Sequence, residues 1–390
     1  MTPSNRAFIG GLAAGAVIAI ALFALVAPLR DLLPGQSRAD EAREVIEESY
    51  FRETSENQLE NASIEGMVRE IARENDDKFS HYFDPETYKR WLASTSGKFS
   101  GIGLNVAESK RGLRVARVFE GTPARRAGIE VGDQIIAVDG KSIAGISSTA
   151  AASQIKGKPG TKVTITVLDG QTGEERELEV ERAEVRIPAV KSSMKRKGDT
   201  KVGYVRLETF NRGAHGELRN AIAGLQRDGA EGIVLDLRGN GGGLLDEAVL
   251  TTSIFQDSGP VVTIEGRARE EETLDASGDA IDPLPPVAVL VDRNTASASE
   301  IVTAALKQND LATVIGTRTY GKGVFQEVIG LDEGGALDLT VGEYLTSDGT
   351  SILGVGVVPD ERVVDRDGVE NGDEVLDAGL TRVAAELGSR

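Results

Sequence analysis

The sequence predicts a mixed α/β protein, and three observations carry the prediction. Short apolar runs at 201–207, 232–237 and 286–291 alternate with helical spacing at 216–226 and again just after residue 297, the rhythm of an α/β core. Between Gly97 and Arg182 the texture changes to alternating strands separated by glycine turns. Before Gly97, apolar residues recur at helical spacing. The expected order is a helical amino-terminal region, a small strand-rich domain and an α/β core.

With 390 residues the chain is long enough for two or three domains, and its net charge of −18 argues against holding nucleic acid through phosphate attraction. It has no cysteine, so no disulfide is needed, which fits any compartment. Ala7 to Leu29 is uncharged between Arg6 and Arg30 and is long enough to span a bilayer. Two readings stay open: an uncleaved membrane anchor, which the length favours, or a signal removed near Ala19-Ile20-Ala21. Either one sets residues 1–34 apart from the folded protein. Residues 35–96 form the helical region. Val45, Ile46 and Tyr50 share one stripe, and Ile64, Met67, Val68 and Ile71 another. Asp76 to Pro85 reads as a loop. His81 stands there beside Phe79, Tyr82 and Phe83, and a single histidine among aromatics reads as a packed side chain; no metal is expected.

Residues 97–184 form the strand-rich domain. Gly101–Val106 and Leu113–Val118 alternate like half-buried strands, and further strands at 163–168 and 177–180 close the domain. Between them, the run from Gly121-Thr122-Pro123-Ala124 to Val138-Asp139-Gly140 supplies a short helix, a tight turn, a strand and a second turn. This run resembles the core signature of bacterial PDZ domains. The resemblance implies an extended peptide added to a sheet edge, its terminal carboxylate taken by backbone N–H groups of Gly101, Ile102, Gly103 and Leu104. The alternative is that the two glycines only permit a bulge, against which the signature that follows them counts.

The core occupies residues 185–365. After the strand at 232–237 comes Arg238-Gly239-Asn240-Gly241-Gly242-Gly243. A glycine turn between strand and helix suits phosphate, but the Walker lysine and the G-x-G-x-x-G spacing are both missing, so a nucleotide-binding module is a poor fit. Gly259 to Pro286, with Glu270-Glu271-Glu272, is expected to run over the surface. Ser297 follows the strand at 286–291 and precedes a helix, where unpaired N–H groups and the helix dipole favour negative charge. Ser297 or Ser299 there is either a helix cap or a nucleophile. Downstream, Lys322 lies between Gly321 and Gly323, open to close approach. A lysine serves as base where burial leaves its amine neutral. The two histidines, His81 and His215, lie in no comparable setting. Full extension would hold Lys322 and Gln326 roughly 13 Å apart at about 3.3 Å per residue, so pairing them needs a turn or bulge, with Gly323 the expected hinge. Residues 366–390 are read as a helical tail, amphipathic over 375–387.

Taken together, Ser297, Lys322 and Gln326, the turn at 238–243 before them and Gly354 to Asp360 after them resemble the carboxyl-terminal processing proteases. The resemblance covers most of the chain after the amino-terminal segment. It implies a PDZ-containing serine endopeptidase with Ser297 as nucleophile, Lys322 as base and Gln326 orienting the lysine. It also implies oxyanion donors at the N–H groups of Gly243, with Gly242 as fallback, and Ala298. No cofactor is implied. The expected partners are protein or peptide substrates with free carboxyl termini, an adaptor protein and further copies of the chain. The expected place is the cell envelope, anchored in the cytoplasmic membrane facing outward or secreted there. The PDZ domain is expected to gate the active site rather than only tether substrate. The chain departs from the family at Gly241 and Ser347, where proline is common, and at Thr350, where arginine or lysine is common. The alternative on the same fold is a catalytically silent PDZ scaffold, against which the intact Ser297, Lys322 and Gln326 count.

Overall fold

The computed structural model describes residues 37–95, 98–146, 148–186, 188–365 and 372–389. The apolar segment Ala7–Leu29 lies outside the described residues, and among those described no helix is long and apolar enough to cross a membrane. The chain divides into two compact units, Met1–Asp84 and Pro85–Arg390.

In the first unit, helices α1 (Arg38–Ser49) and α2 (Glu56–Glu74) precede a short strand β1 (His81–Phe83). Ser37 starts α1 with a reciprocal cap: its Oγ accepts from Asp40 N–H at 3.2 Å and its own N–H donates to Asp40 Oδ2 at 3.1 Å. The helical reading holds, but of the two apolar stripes only Val68 is buried, while Val45, Ile46, Tyr50, Met67 and Ile71 are exposed. The expected loop at 76–85 contains β1, a strand too short to carry a legible period. His81 donates from Nδ1 to the Phe79 carbonyl at 2.7 Å and meets the Phe83 ring edge-on at 4.5 Å.

The second unit opens with α3 (Pro85–Thr95) and the strand-rich region. Its elements are β2 (Lys98–Gly101), β3 (Leu104–Ser109), β4 (Gly112–Val118), α4 (Pro123–Arg126), β5 (Gln134–Val138), β6 (Lys141–Ser142), α5 (Ser148–Ile155), β7 (Lys162–Leu168), β8 (Glu175–Glu181) and β9 (Ala183–Arg186). The main sheet runs β3-β4-β5-β7-β8, with β6 on β5, so β3 is an edge strand with one side open for pairing. Alternation along β7 puts Val163, Ile165 and Val167 into a core shared with Ile102, Leu113 and Ile135. Strands β2 and β9 pair separately as a two-stranded neck. Arg182, just before the neck, caps the carboxyl end of α5 by donating to the carbonyls of Ile155 at 2.8 Å and Gln154 at 3.1 Å. Gly157 makes room for it, since a Cβ there would lie 2.7 Å from Arg182 Nε.

The core follows as β10 (Val190–Lys197), β11 (Thr200–Leu207), α6 (Ala214–Arg227), β12 (Gly232–Asp236), α7 (Leu245–Thr252), β13 (Pro260–Gly266), β14 (Arg269–Asp275), β15 (Val287–Val291), α8 (Ala298–Gln308), β16 (Thr313–Gly316), β17 (Val324–Gly330), β18 (Ala336–Thr346), β19 (Glu361–Arg362) and α9 (Glu374–Gly388). Six strands form one sheet in the order β10-β11-β12-β15-β16-β19, parallel from β11 onward. Every residue of β12 and β15 is buried, as continuous apolar strands covered on both faces must be. Ile233, Leu235 and Val289 pack with Leu218, Ile222 and Val302 of α6 and α8. The opposite residues Val234, Ala288 and Leu290 pack with Val375, Leu380 and Val383 of α9. That helix lies close: a Cβ on Gly232 would come within 2.2 Å of Val383 Cγ1.

A second, antiparallel sheet joins β17, β18, β13 and β14 in that order. This corrects the expected surface course of 259–286. Val261, Val262 and Ile264 of β13 are at most 2% exposed, whereas β14 lies outside, and its glutamates masked a short apolar alternation next door.

Candidate active site

Two turns far apart in sequence meet because β12 and β15 are adjacent and parallel, with Asp236 opposite Leu290. Ligand sites in open α/β sheets lie beyond the carboxyl ends of such strands. The turn after β12 carries residues 238–243, and the turn after β15 carries residues 292–297.

Asn240 staples the two. It is 1% exposed, and its carbonyl accepts from Ala296 N–H at 3.0 Å and from Ser299 Oγ at 3.0 Å. Its side chain accepts from Gly242 N–H at 2.9 Å and donates to the Leu207 carbonyl at 2.8 Å. Gly242 therefore approaches Ser297 so closely that a Cβ would stand 2.9 Å from Ser297 Cβ. With the Gly242 N–H taken, Gly243 and Ala298 remain. Neither of their N–H groups has a hydrogen-bond partner among the described residues. Gly243 turns at φ 149 against Phe210, whose carbonyl a Cβ would meet at 2.5 Å. Gly241, where a proline is common in the resembling family, has open space around it, and the Asn240 bond to its neighbour supplies rigidity.

Below that turn, an ionic network anchored on a buried aspartate fixes the approach to it. Asp236 is fully buried and accepts from Tyr204 Oη at 2.7 Å and from Arg238 Nη2 at 2.7 Å. Arg238 continues to Asp373, the amino-terminal cap of α9, at 2.7 and 2.9 Å. Burial and the bond to Asp236 push the Tyr204 phenol up to about 12.

Ser297 is the N-cap of α8, 7% exposed, at φ 56 and ψ −120. A non-glycine residue in that region costs on the order of 1–3 kcal/mol and persists only where its surroundings impose it. The imposing group is Glu300, one turn into α8 and fully buried. Its Oε2 accepts from Ser297 N–H at 2.9 Å and from Lys322 N–H at 2.9 Å. Its Oε1 accepts from Gly321 N–H at 2.7 Å and from Thr319 Oγ1 at 2.5 Å. Four donors on one buried carboxylate join the serine turn to the lysine loop. Glu300 was detectable: Ser297-x-x-Glu300 is the capping-box spacing, read above only as serine caps. Asn240 had no comparable signal.

Lys322 is half-buried, and its Nζ donates to Gln326 Oε1 at 2.7 Å. Gln326 Nε2 in turn donates to Thr340 Oγ1 on β18 at 3.0 Å. Lys322 lies before β17, which begins at Val324, so the two side chains meet where the lysine loop enters the strand. At Gly323, a Cβ would strike Leu353 N at 2.4 Å.

The PDZ loop is separate from these turns. Gly101 ends β2 opposite Ala183, Ile102 is 1% exposed in the domain core, and Leu104 begins the edge strand β3. Gly103 turns at φ 89 where a Cβ would lie 2.2 Å from Thr122 Cβ.

Comparison with known proteins gives the arrangement its family. Residues 201–363 match the profile of Peptidase family S41, and residues 92–168 that of the PDZ domain. The carboxy-terminal processing protease CtpA of Bacillus subtilis is 35% identical over 329 residues, covering 83% of this chain and 69% of that protein. A CtpA-like serine protease of Staphylococcus aureus is 35% identical over 358 residues, 89% of this chain and 70% of that one. Among solved structures, a photosystem II D1 C-terminal processing protease aligns with a TM-score of 0.50 and 29% identity over 88% of this chain and 89% of that chain. On this identity and coverage, the chain belongs to peptidase family S41 and is a serine peptidase of the PDZ-bearing, carboxy-terminal processing kind.

Proposed function

We propose that this peptidase cuts protein substrates near their carboxyl termini through a Ser–Lys dyad, with Ser297 as nucleophile and Lys322 as base. The observation that carries the reading is the shared oxygen of Glu300, which accepts from the N–H groups of both residues and so holds the two turns on one buried atom. Ser297 Oγ attacks the scissile carbonyl while the neutral Lys322 amine takes its proton. The carbonyl oxygen gains charge against the N–H groups of Gly243 and Ala298, each worth about 3 kcal/mol in sites of this type. Lys322 then returns the proton to the leaving amine, and water repeats the sequence on the acyl-enzyme. Gln326 orients the amine with a neutral bond, which adds no charge that would keep it protonated.

Free substrate tails bind the open edge of β3, with the carboxylate at the loop Gly101 to Leu104. Tail binding gates the dyad by favouring its active arrangement. The protein works in the cell envelope, held by residues 7–29.

Ser297→Ala and Lys322→Ala should each lower hydrolysis of an unstructured protein by at least about a thousand-fold with the fold intact. Wild-type activity should rise with pH as the amine loses its proton. Wild-type turnover in Lys322→Ala, or a loss in His215→Ala equal to that in Ser297→Ala, would end the dyad assignment. Placement is tested by fractionation: the intact chain should stay in a carbonate-washed membrane pellet, and a soluble chain beginning between about residues 20 and 32 would replace the anchor with a cleaved signal.

A further inference from the structure

A bulge in β18 decides which side chain meets Gln326. In the β17–β18 pair, Phe325 lies opposite Gly342 and its neighbour Gln326 opposite Thr340, so Val341 is the extra residue. An unbroken register would carry Gln326 to Val341, an apolar partner with nothing to offer an amide. The Phe325 end of the pairing is pinned, since a Cβ on Gly342 would meet the Phe325 ring at 2.6 Å. The bulge thus sets Thr340 across from Gln326, and directly paired residues share a face of the sheet. The contact is made: Gln326 Nε2 donates to Thr340 Oγ1 at 3.0 Å, and Lys322 Nζ donates to Gln326 Oε1 at 2.7 Å. All three side chains are half-buried. Bulges recur beside active sites, where they re-aim a side chain.

We propose that Thr340 is a positioning residue for the base: its hydroxyl oxygen holds the nitrogen end of the Gln326 amide, which turns the oxygen end toward Lys322 Nζ. The inference rests on the proposed roles of Ser297, Lys322 and Gln326. A neutral amine has two N–H donors and one lone pair. Facing the amide oxygen, Lys322 spends an N–H on Gln326 and directs its lone pair to the Ser297 proton. Turned end for end, the amide would donate its own N–H into that lone pair, and the amine could not take the proton. The orientation has a second consequence. A carbonyl oxygen binds an ammonium roughly twice as strongly as an amine, so it favours the protonated lysine. Loosening the amide therefore slows the proton transfer and, at the same time, lets the lysine lose its proton at lower pH.

The test compares the full-length protein with Thr340→Val, which keeps the shape and removes the hydroxyl, and with Thr340→Ser, which keeps the hydroxyl. Both kcat and kcat/KM are read across pH on a short reporter peptide, since the acid limb of kcat/KM reports the base in the free enzyme. Two carboxylates lie nearby: Glu300 on the Lys322 N–H, and Asp338, two residues before Thr340 on the same face and 9% exposed. Both are the same in every variant, so a difference between variants reads the hydroxyl. In Thr340→Val, kcat should fall about 10- to 100-fold with KM within about two-fold, and the acid limb should move to lower pH. Thr340→Ser should bring kcat back to within about three-fold of wild type and return the limb to its place. If Thr340→Val does not fold, Thr340→Ala carries the same readings. Wild-type kcat without the hydroxyl, equal losses in Thr340→Val and Thr340→Ser, or a limb that stays or moves to higher pH, as in a site merely opened to water, would overturn the inference. Lys322→Ala separates the two levels. If it turns over like wild type, the dyad reading itself fails; if it is silent while Thr340→Val behaves as wild type, only the role of Thr340 fails.

Discussion

Two glycine turns in this chain read alike in sequence: Gly101-Ile102-Gly103-Leu104 before an edge strand, and Gly239-Asn240-Gly241-Gly242-Gly243 after a buried one. Each suits an anion, yet they are held differently. In the PDZ region, the Gly103 carbonyl accepts from Phe119 N–H at 3.0 Å and Thr122 Oγ1 at 3.2 Å, both nearby in the chain. The core turn leans on Leu207 and Phe210 before it and on Ala296, Ser297 and Ser299 after it, up to 59 positions away. A locally held turn fails locally. A turn assembled by neighbouring parallel strands takes the proposed chemistry with it.

The largest expected effect is at Gly242. Gly242→Ala places a Cβ 2.9 Å from both Ser297 Cβ and the Ala296 carbonyl, at φ 101. We expect kcat to fall by about 100-fold or more on short reporter peptides and on unstructured proteins alike. A variant with wild-type kcat on either substrate would break the comparison.

Gly103→Ala should do less and do it elsewhere. Its Cβ would strike Thr122, so tail-peptide affinity should drop about ten-fold or more, by loss of a preorganised loop. Unstimulated cleavage of a short reporter should stay within about two-fold of wild type. A tail peptide added in trans should speed that reporter in the wild type and not in Gly103→Ala. If the reporter is cut equally fast with and without the tail in both proteins, the PDZ domain only tethers.

The ionic link from the core turn to α9 gives a pH-dependent contrast. Burial would raise the Asp373 pKa, but hydrogen bonds from Arg238 outweigh it and hold the carboxyl below its ordinary value of 3.8. A depressed carboxylate contributes stability that is complete above 3.8 and is lost as pH falls through the lower folded value. Asp373→Asn retains a side-chain oxygen to accept from Leu376 N–H and removes the charge. Because Asp373 is 42% exposed, screening limits the cost at pH 7 to about 0.5–1 kcal/mol. Thermal midpoints should differ at pH 7 and converge toward pH 3; an equal gap at both would refute the link.

Gly241→Ala should have the smallest effect. Its Cβ meets nothing within 4 Å and its φ is not left-handed, so the main consequence is a less flexible unfolded chain, stabilising by about 0.4–1 kcal/mol. Damage matching that of Gly242→Ala would mean that the turn resists any side chain, rather than one at the Ser297 contact.

Much of this was legible in the sequence, because it depends on local pattern. Period and glycine placement located β12, α6, β15 and α8, and the junction at Ser297, where strand apolarity gives way to helical spacing. The same reasoning failed at β13, whose two-position alternation is too short to outweigh the acidic strand beside it.

Only the tertiary structure decided what surrounds the proposed dyad. Glu300, Asn240 and Thr340 look in sequence like a cap, a turn residue and a strand position. Their partners lie across parallel strands and across the β17–β18 pair. The sequence alone determined the elements and their order, since each depends on neighbours a few positions away. Which buried carboxylate and amide brace the serine turn follows from strand adjacency, set by the burial of whole faces and written in no single stretch of chain.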